Sequence, residues 1–211
     1  KEFLMNKSLD ISVVDLSRRA LLKAAVLGLC AGGLSRLLPA ASPAFAAGEA
    51  EAPRVLIVYY SLSGNTRALA TLLHQRVGGD MVELETATPY PTEYRAVTEQ
   101  AKRELESGFK PPLKTTVDNV DSYDVILVGS PCWWGTIATP VITFLSENKL
   151  AGKTVAPFMT HGGSGLGRSV AHIRELCPQA TVREGLAVRG GRAASAGNEA
   201  EAWLAGLGLS R

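Results

Sequence analysis

Three short segments carry the residue types that could do chemistry. The first, Ser61-Leu62-Ser63-Gly64-Asn65-Thr66-Arg67, combines hydroxyls, an amide and a glycine. At the start of a helix, Ser63, Asn65 and Thr66 can donate from their side chains while backbone N–H groups wrap an anion such as a phosphate. Its spacing departs from G-x-G-x-x-G and the chain has no G-x-x-x-x-G-K-[ST], so dinucleotide and P-loop readings are disfavoured. Taken alone, the segment is better explained as plain helix N-capping by Ser or Asn.

The second segment is Gly129-Ser130-Pro131-Cys132-Trp133-Trp134-Gly135-Thr136. Adjacent indoles at a strand end cannot both face one core, so one must face solvent or cover a ligand. An indole face suits stacking on a flat aromatic ring system, and large rings on a loop are costly to leave exposed. The competing account packs both rings within the loop. Cys132 invites a nucleophile reading, but His74 and His172 fall on helices and His161 on a different loop, so a small packing thiol is expected. The third segment, Thr160-His161-Gly162-Gly163-Ser164-Gly165-Leu166-Gly167-Arg168, has four glycines that let backbone approach a ligand and donate N–H groups. It could also serve as a flexible connection. His161 is a candidate general acid or hydrogen-bonding group.

The elements around these segments place them together. Short apolar runs alternate with helical patterns from Arg54 onward, the signature of parallel β–α–β units. Strands are expected at Val55 to Tyr60, Met81 to Thr86, Val125 to Ser130, Thr154 to Thr160 and Thr181 to Val188. Helices are expected at Asn65 to Val77, Thr92 to Ser107, Thr139 to Glu147 with Pro140 in its first turn, Leu166 to Leu176, and Asn198 to Leu207. Such alternation builds an α/β domain: a three-layer, doubly wound, five-stranded parallel sheet. Right-handed crossovers put the strand C-termini on one edge, and ligands bind in the crevice there, where strand order reverses. The three segments leave the first, third and fourth strands at that edge.

The first 47 residues follow a different logic. Ser17-Arg18-Arg19-Ala20-Leu21-Leu22-Lys23, an Ala/Leu/Gly-rich stretch and Ala44-Phe45-Ala46 have the layout of a cleavable export signal, its paired arginines resembling the twin-arginine class. Lys23 and Arg36 leave only Ala24 to Ser35 uncharged, short of the ~20 apolar residues a membrane span needs. A lipoprotein site at Cys30 is disfavoured by the bulk of Leu29. Residues 1–47 are therefore read as signal and leader, 48–53 as linker, and 54–211 as the functional domain, with a periplasmic destination and no stable span after cleavage. Without the signal, 16 basic and 17 acidic residues remain, a net charge of −1 against +2 for the whole chain. That balance gives no support to nucleic-acid binding. Cys132 and Cys177 fall at opposite ends of the expected sheet and are expected unpaired.

Ser61 to Arg67, Gly129 to Thr136 and Thr160 to Gly167, in that order, resemble the flavodoxin family in its short-chain form. Pro89-Tyr90-Pro91-Thr92-Glu93-Tyr94 and Lys110-Pro111-Pro112-Leu113 are similar to a pattern in one flavodoxin-like subgroup, and the match runs from about Pro53 to Leu207. The resemblance implies strand order 2-1-3-4-5 and FMN as cofactor. It places the FMN phosphate on Ser61, Ser63, Gly64, Asn65, Thr66 and Arg67. The isoalloxazine would lie between Pro131, Cys132, Trp133, Trp134 and Gly135 on one side and Thr160, His161, Gly162 and Gly163 on the other. It implies neither a catalytic triad nor a metal. Two departures stand out: serines where many flavodoxins have threonines, and a nearly neutral domain where soluble electron-carrying flavodoxins are strongly acidic.

Two functions follow from such a site. An electron carrier would exchange electrons between FMN and a redox partner protein or small acceptor, with the protein tuning the flavin's potentials. An FMN-dependent NAD(P)H:quinone-type reductase would need an open pocket over the flavin, with Tyr90, Tyr94 or His161 as lining. Export argues for the carrier, since nicotinamide cofactors are scarce outside the cytoplasm. A flavin-free binding module requires that the loops fail to hold FMN.

Overall fold

The computed structural model describes residues 52–209. The expected export signal, Cys30 and the start of the expected linker lie outside the described residues. Strand β1 (Val55–Tyr59) is buried along its whole length, as expected of an apolar run covered on both faces. It pairs in parallel with β2 (Asp80–Glu83) on one side and β3 (Val125–Trp133) on the other. β3 pairs in parallel with β5 (Thr154–His161), giving the order β2-β1-β3-β5. Between β3 and β5 in the chain, β4 (Thr136–Ile137) folds back antiparallel on the end of β3.

The expected fifth strand is two pieces, β6 (Thr181–Val182) and β7 (Leu186–Arg189), both parallel to β5. The register explains the break. Val155 is opposite Val182 and Phe158 opposite Leu186, so Ala156-Pro157 on β5 faces the longer Arg183-Glu184-Gly185. One strand carries an extra residue there, and Pro157 has no N–H for the ladder. The pieces together occupy the fifth position, so the sheet keeps the expected doubly wound order.

Helices α1 (Asn65–Val77) and α5 (Gly197–Gly206) cover one face through Leu69, Leu73, Ala200 and Leu204. Helices α2 (Tyr94–Ser107), α3 (Thr139–Glu147) and α4 (Ser169–Leu176) cover the other through Val97, Val141, Phe144 and Ile173. Pro140 sits at the start of α3 as expected. α2 begins two residues later than the sequence pattern suggested, because the Glu93 carboxylate caps it by accepting from the Arg95 and Ala96 N–H groups at 2.9 and 2.7 Å. α4 begins three residues later than expected. Gly165 and Gly167 hold positive φ (62° and 52°), which keeps the chain in loop conformation up to Arg168. Among the described residues Cys132 and Cys177 are both free thiols, and burial raises the pKa of Cys177.

Candidate functional site

A cleft of about 1110 Å³ opens at the C-terminal edge of β1, β3, β5 and β7. It is somewhat larger than the roughly 300–1,000 Å³ usual for a small-ligand site. Ser63 and Asn65 reach it from the first loop, Pro131, Cys132, Trp133 and Trp134 from the second, and Thr160, His161 and Gly162 from the third. The structure therefore brings together residues from all three segments singled out in the sequence. Ser61, Gly64, Thr66, Arg67, Gly135 and Gly163 are not in its lining.

The absent members act behind the wall. Gly64 is the N-cap of α1 with φ 85° and no side-chain cap, so the Asn65 and Thr66 N–H groups have no capping acceptor. Ser61 Oγ accepts from the Arg67 N–H at 3.1 Å, so the capping account holds for one donor only. Thr66 and Thr160 are buried and hydrogen-bonded through their hydroxyls at 2.8 Å, tying the first loop to the third. Arg67 turns away from the cleft: its Nε and Nη2 each lie 2.6 Å from the Glu83 carboxylate. The Tyr59 hydroxyl donates to the same carboxylate at 3.1 Å, and burial, then Glu83, pushes its pKa up to about 12. A bidentate, charge-assisted pair of this kind leaves Arg67 little capacity for a phosphate.

The tryptophans part company, as two neighbouring rings must. Trp133 is half-buried with edge contacts to Tyr60 and Tyr90, ring centroids 5.6 and 5.1 Å away. Trp134 is 58% exposed at φ 50°, held by its indole N–H donating to the Thr98 carbonyl at 2.9 Å and by Lys102 Nζ 5.4 Å above the ring. Both indoles line the cleft, Trp134 at its mouth.

Tyr90, a candidate for the pocket wall, lies behind Trp133 instead. It is buried, and its hydroxyl donates to Glu104 and is 2.8 Å from Thr139 Oγ1. Thr139 and Gln100 also donate to the Glu104 carboxylate, at 2.6 and 2.8 Å, so this buried acid is satisfied by neutral donors. Burial, then the Glu104 bond, drives the Tyr90 pKa far above the ordinary phenol range. Tyr94, 83% exposed, is the tyrosine that does line the cleft. Cys132 lies in the wall with its sulfur 3.2 Å from Ser164 Oγ. His172 pairs with Thr136 at 2.8 Å rather than with Cys132; burial, then Arg168, lowers its pKa.

The second and third loops are locked by backbone contact. Arg168 N–H donates to the Gly135 carbonyl at 2.7 Å, and a Cβ on Gly167 would stand 2.2 Å from that oxygen. Gly162 and Gly163 have nothing within 4 Å of a would-be Cβ, which leaves their backbone open to a ligand. His161 Nδ1 is a buried polar atom without a partner among the described residues, an unmet need that a polar ligand edge would relieve. Uncapped helix N–H donors, indole faces and open glycine backbone suit a ligand with an anionic tail and a flat aromatic head.

Two parts of the lining were missed from the sequence. The α2 face contributes Val97, Thr98 and Ala101, whose helical spacing signals burial but not in which cavity. The turn Arg189-Gly190-Gly191-Arg192, directly after the last strand, forms a further wall. Its position at the ligand edge of the sheet and its run of glycines between arginines were the available signals.

Known proteins are similar to this chain in fold and in sequence. A flavoprotein of Lactobacillus acidophilus NCFM, crystallised in complex with FMN, is 28% identical and superposes with a TM-score of 0.59 over 64% of this chain and 93% of its own. A candidate flavoprotein of Bacteroides eggerthii is 28% identical, with a TM-score of 0.65 over 75% of this chain and 100% of its own. An NAD(P)H dehydrogenase (quinone) of Cupriavidus metallidurans is 26% identical over 121 residues, 52% of this chain and 59% of that relative's length. The flavodoxin family model matches residues 54–205, which includes every loop of the cleft. With that match laid over a doubly wound sheet whose cleft suits a phosphate-bearing aromatic ligand, the chain belongs to the flavodoxin family.

Proposed function

We propose that the cleft binds FMN and that the protein is an electron carrier of the cell envelope. The observation that carries the FMN reading is the cleft itself, where an uncapped helix start, an indole pair and open glycine backbone meet in one cavity. FMN supplies one- and two-electron transfer. Ser63, Asn65 and the first N–H groups of α1 hold its phosphate. Trp133, Trp134 and the Thr160–Gly162 stretch flank its ring and exclude water from it. Thr66 and Thr160 brace that cradle from behind. The FMN complex of the Lactobacillus flavoprotein supports the choice of cofactor. The destination outside the cytoplasm rests on the Arg18-Arg19 export pattern.

A second reading, FMN-dependent reduction of a quinone by a nicotinamide donor, is favoured by the relation to the NAD(P)H dehydrogenase (quinone) and by the cleft's open mouth. Leu62, Tyr94 and Trp134 leave an apolar rim there, 41%, 83% and 58% exposed. Anaerobic mixing of FMN-loaded protein with NADH or NADPH separates the two. The carrier gives slow or no bleaching of the flavin band and needs a chemical or protein reductant. Rapid bleaching by the nicotinamide alone overturns the carrier and establishes the reductase.

A further inference from the structure

The charge of the cleft is one-sided. Among the described residues, its lining includes His161, Arg189 and Arg192 but no aspartate or glutamate. Glu104, the buried acid, stands behind Tyr90 and not in the wall. Arg192 is paired with Glu199 at 2.5 Å, which leaves Arg189 as the cation without a counter-charge. Arg189 ends β7, where it is the cross-strand partner of His161 at the end of β5. Paired residues of parallel strands project to the same face of a sheet, and both side chains line the cleft. Arg189 Nη1 donates to the Gly162 carbonyl at 3.3 Å, which places the guanidinium at the third loop. Among the described residues no carboxylate lies within ion-pair distance of it, and its remaining N–H donors have no acceptor. Beside it, His161 Nδ1 is also without a partner among those residues.

The third loop is the one that flanks the ring of the proposed cofactor, so a cation there acts on the ring. The oxidised ring is neutral. Two electrons from a redox donor and one proton from water leave it with a net negative charge at neutral pH, and fixed charge nearby tunes that change. Only an interaction that differs between the two redox forms can shift the balance between them. A guanidinium with free donors, in a wall that has no acid to oppose it, differs in that way. From this one-sided wall we infer that Arg189 is the redox-tuning residue of the site. It holds the reduced ring more tightly than the oxidised one, and so raises the two-electron potential of the flavin. This inference rests on the FMN reading above, and the experiment separates the two.

The test makes two measurements on the full chain, R189Q and R189K. Fluorescence quenching gives the affinity for oxidised FMN. Anaerobic reduction of the FMN-loaded protein with dithionite, against a reference dye, gives the two-electron potential. Arg189 is exposed at the cleft wall, so solvent screening keeps its effect modest. R189Q should lower the affinity for reduced relative to oxidised FMN by about 3- to 30-fold, read as a fall in potential of about 15–45 mV. R189K keeps the charge without the fork and should recover more than half of that fall. Added salt should move the potential of the parent chain toward that of R189Q. An unchanged or raised potential in R189Q overturns the assignment while leaving FMN binding intact. So does a fall that R189K does not recover, which would reduce Arg189 to a brace for Gly162. A full chain that binds no FMN overturns the FMN reading and the assignment with it.

Discussion

Replacing Gly167 by alanine puts a methyl carbon 2.2 Å from the Gly135 carbonyl oxygen and 3.0 Å from its Cα. Gly167 also holds φ 52°, so two penalties combine. The left-handed backbone costs a non-glycine residue about 1–2 kcal/mol. Relieving the contact costs about 1–3 kcal/mol more, because backbone rather than a flexible side chain must move. Gly165 supplies the control: its φ of 62° is similar, but nothing lies within 4 Å of its would-be Cβ. G165A should therefore lose only the first increment, about 1–2 kcal/mol, and G167A about 2–5 kcal/mol. Both remain below the roughly 5–15 kcal/mol stability of an ordinary domain, so both should fold. Urea midpoints at unchanged slope read the difference. Because the moved atoms join the tryptophan loop to the glycine loop, G167A should also weaken FMN binding several-fold more than G165A. Equal midpoints and equal FMN affinities for the two variants would refute the claim that the Gly135–Gly167 contact sets the shape of the cleft.

Other outcomes follow from the same geometry. W133A should lose about 3 kcal/mol in a thermal or urea melt, since the ring packs on Tyr60 and Tyr90. The exposed Trp134 should cost about 0.5 kcal/mol or less on truncation while still weakening FMN affinity in a fluorescence titration. T66V or T160V alone orphans a buried hydroxyl and should cost about 1–3 kcal/mol, whereas the double valine should cost less than the sum, read by a double-mutant cycle. His172 has a lowered pKa in the fold, so the unfolded chain binds its proton more readily. Its contribution is intact above the ordinary histidine pKa of about 6.5 and is lost as pH falls through the lower folded value. H172Q should flatten the pH dependence of stability in that acidic window, and an unchanged profile would remove His172 from this role.

The sheet was legible because its strands obey simple rules. The apolar run Val55 to Tyr60 could only be a strand covered on both faces, and the alternation with helical patterns set the parallel order. The fifth strand misled because its apolar pattern does not reveal that Pro157 and an extra residue opposite interrupt the ladder. The indole pair was informative for a steric reason that needs no coordinates: neighbouring residues on a strand end point apart. Which ring is anchored was not legible, since that depends on Tyr60, Tyr90 and Thr98, distant in sequence. Arg67 looked like a phosphate ligand from its position, yet Glu83 on the adjacent strand holds it. Sequence spacing along one loop carries no information about a carboxylate brought in by strand pairing. The same blindness hid the turn Arg189-Gly190-Gly191-Arg192, which the pairing of β7 with β5 brings to the wall of the cleft.

The central claim is that this cleft holds FMN. The most direct measurement is the flavin content of the purified protein: absorbance near the flavin bands, identification of the flavin released on denaturation, and FMN titration of the stripped chain. The purified protein should be yellow, release FMN rather than FAD, and rebind it at about one FMN per chain with quenched fluorescence. A colourless chain whose fluorescence titration with FMN shows no saturable binding would contradict it.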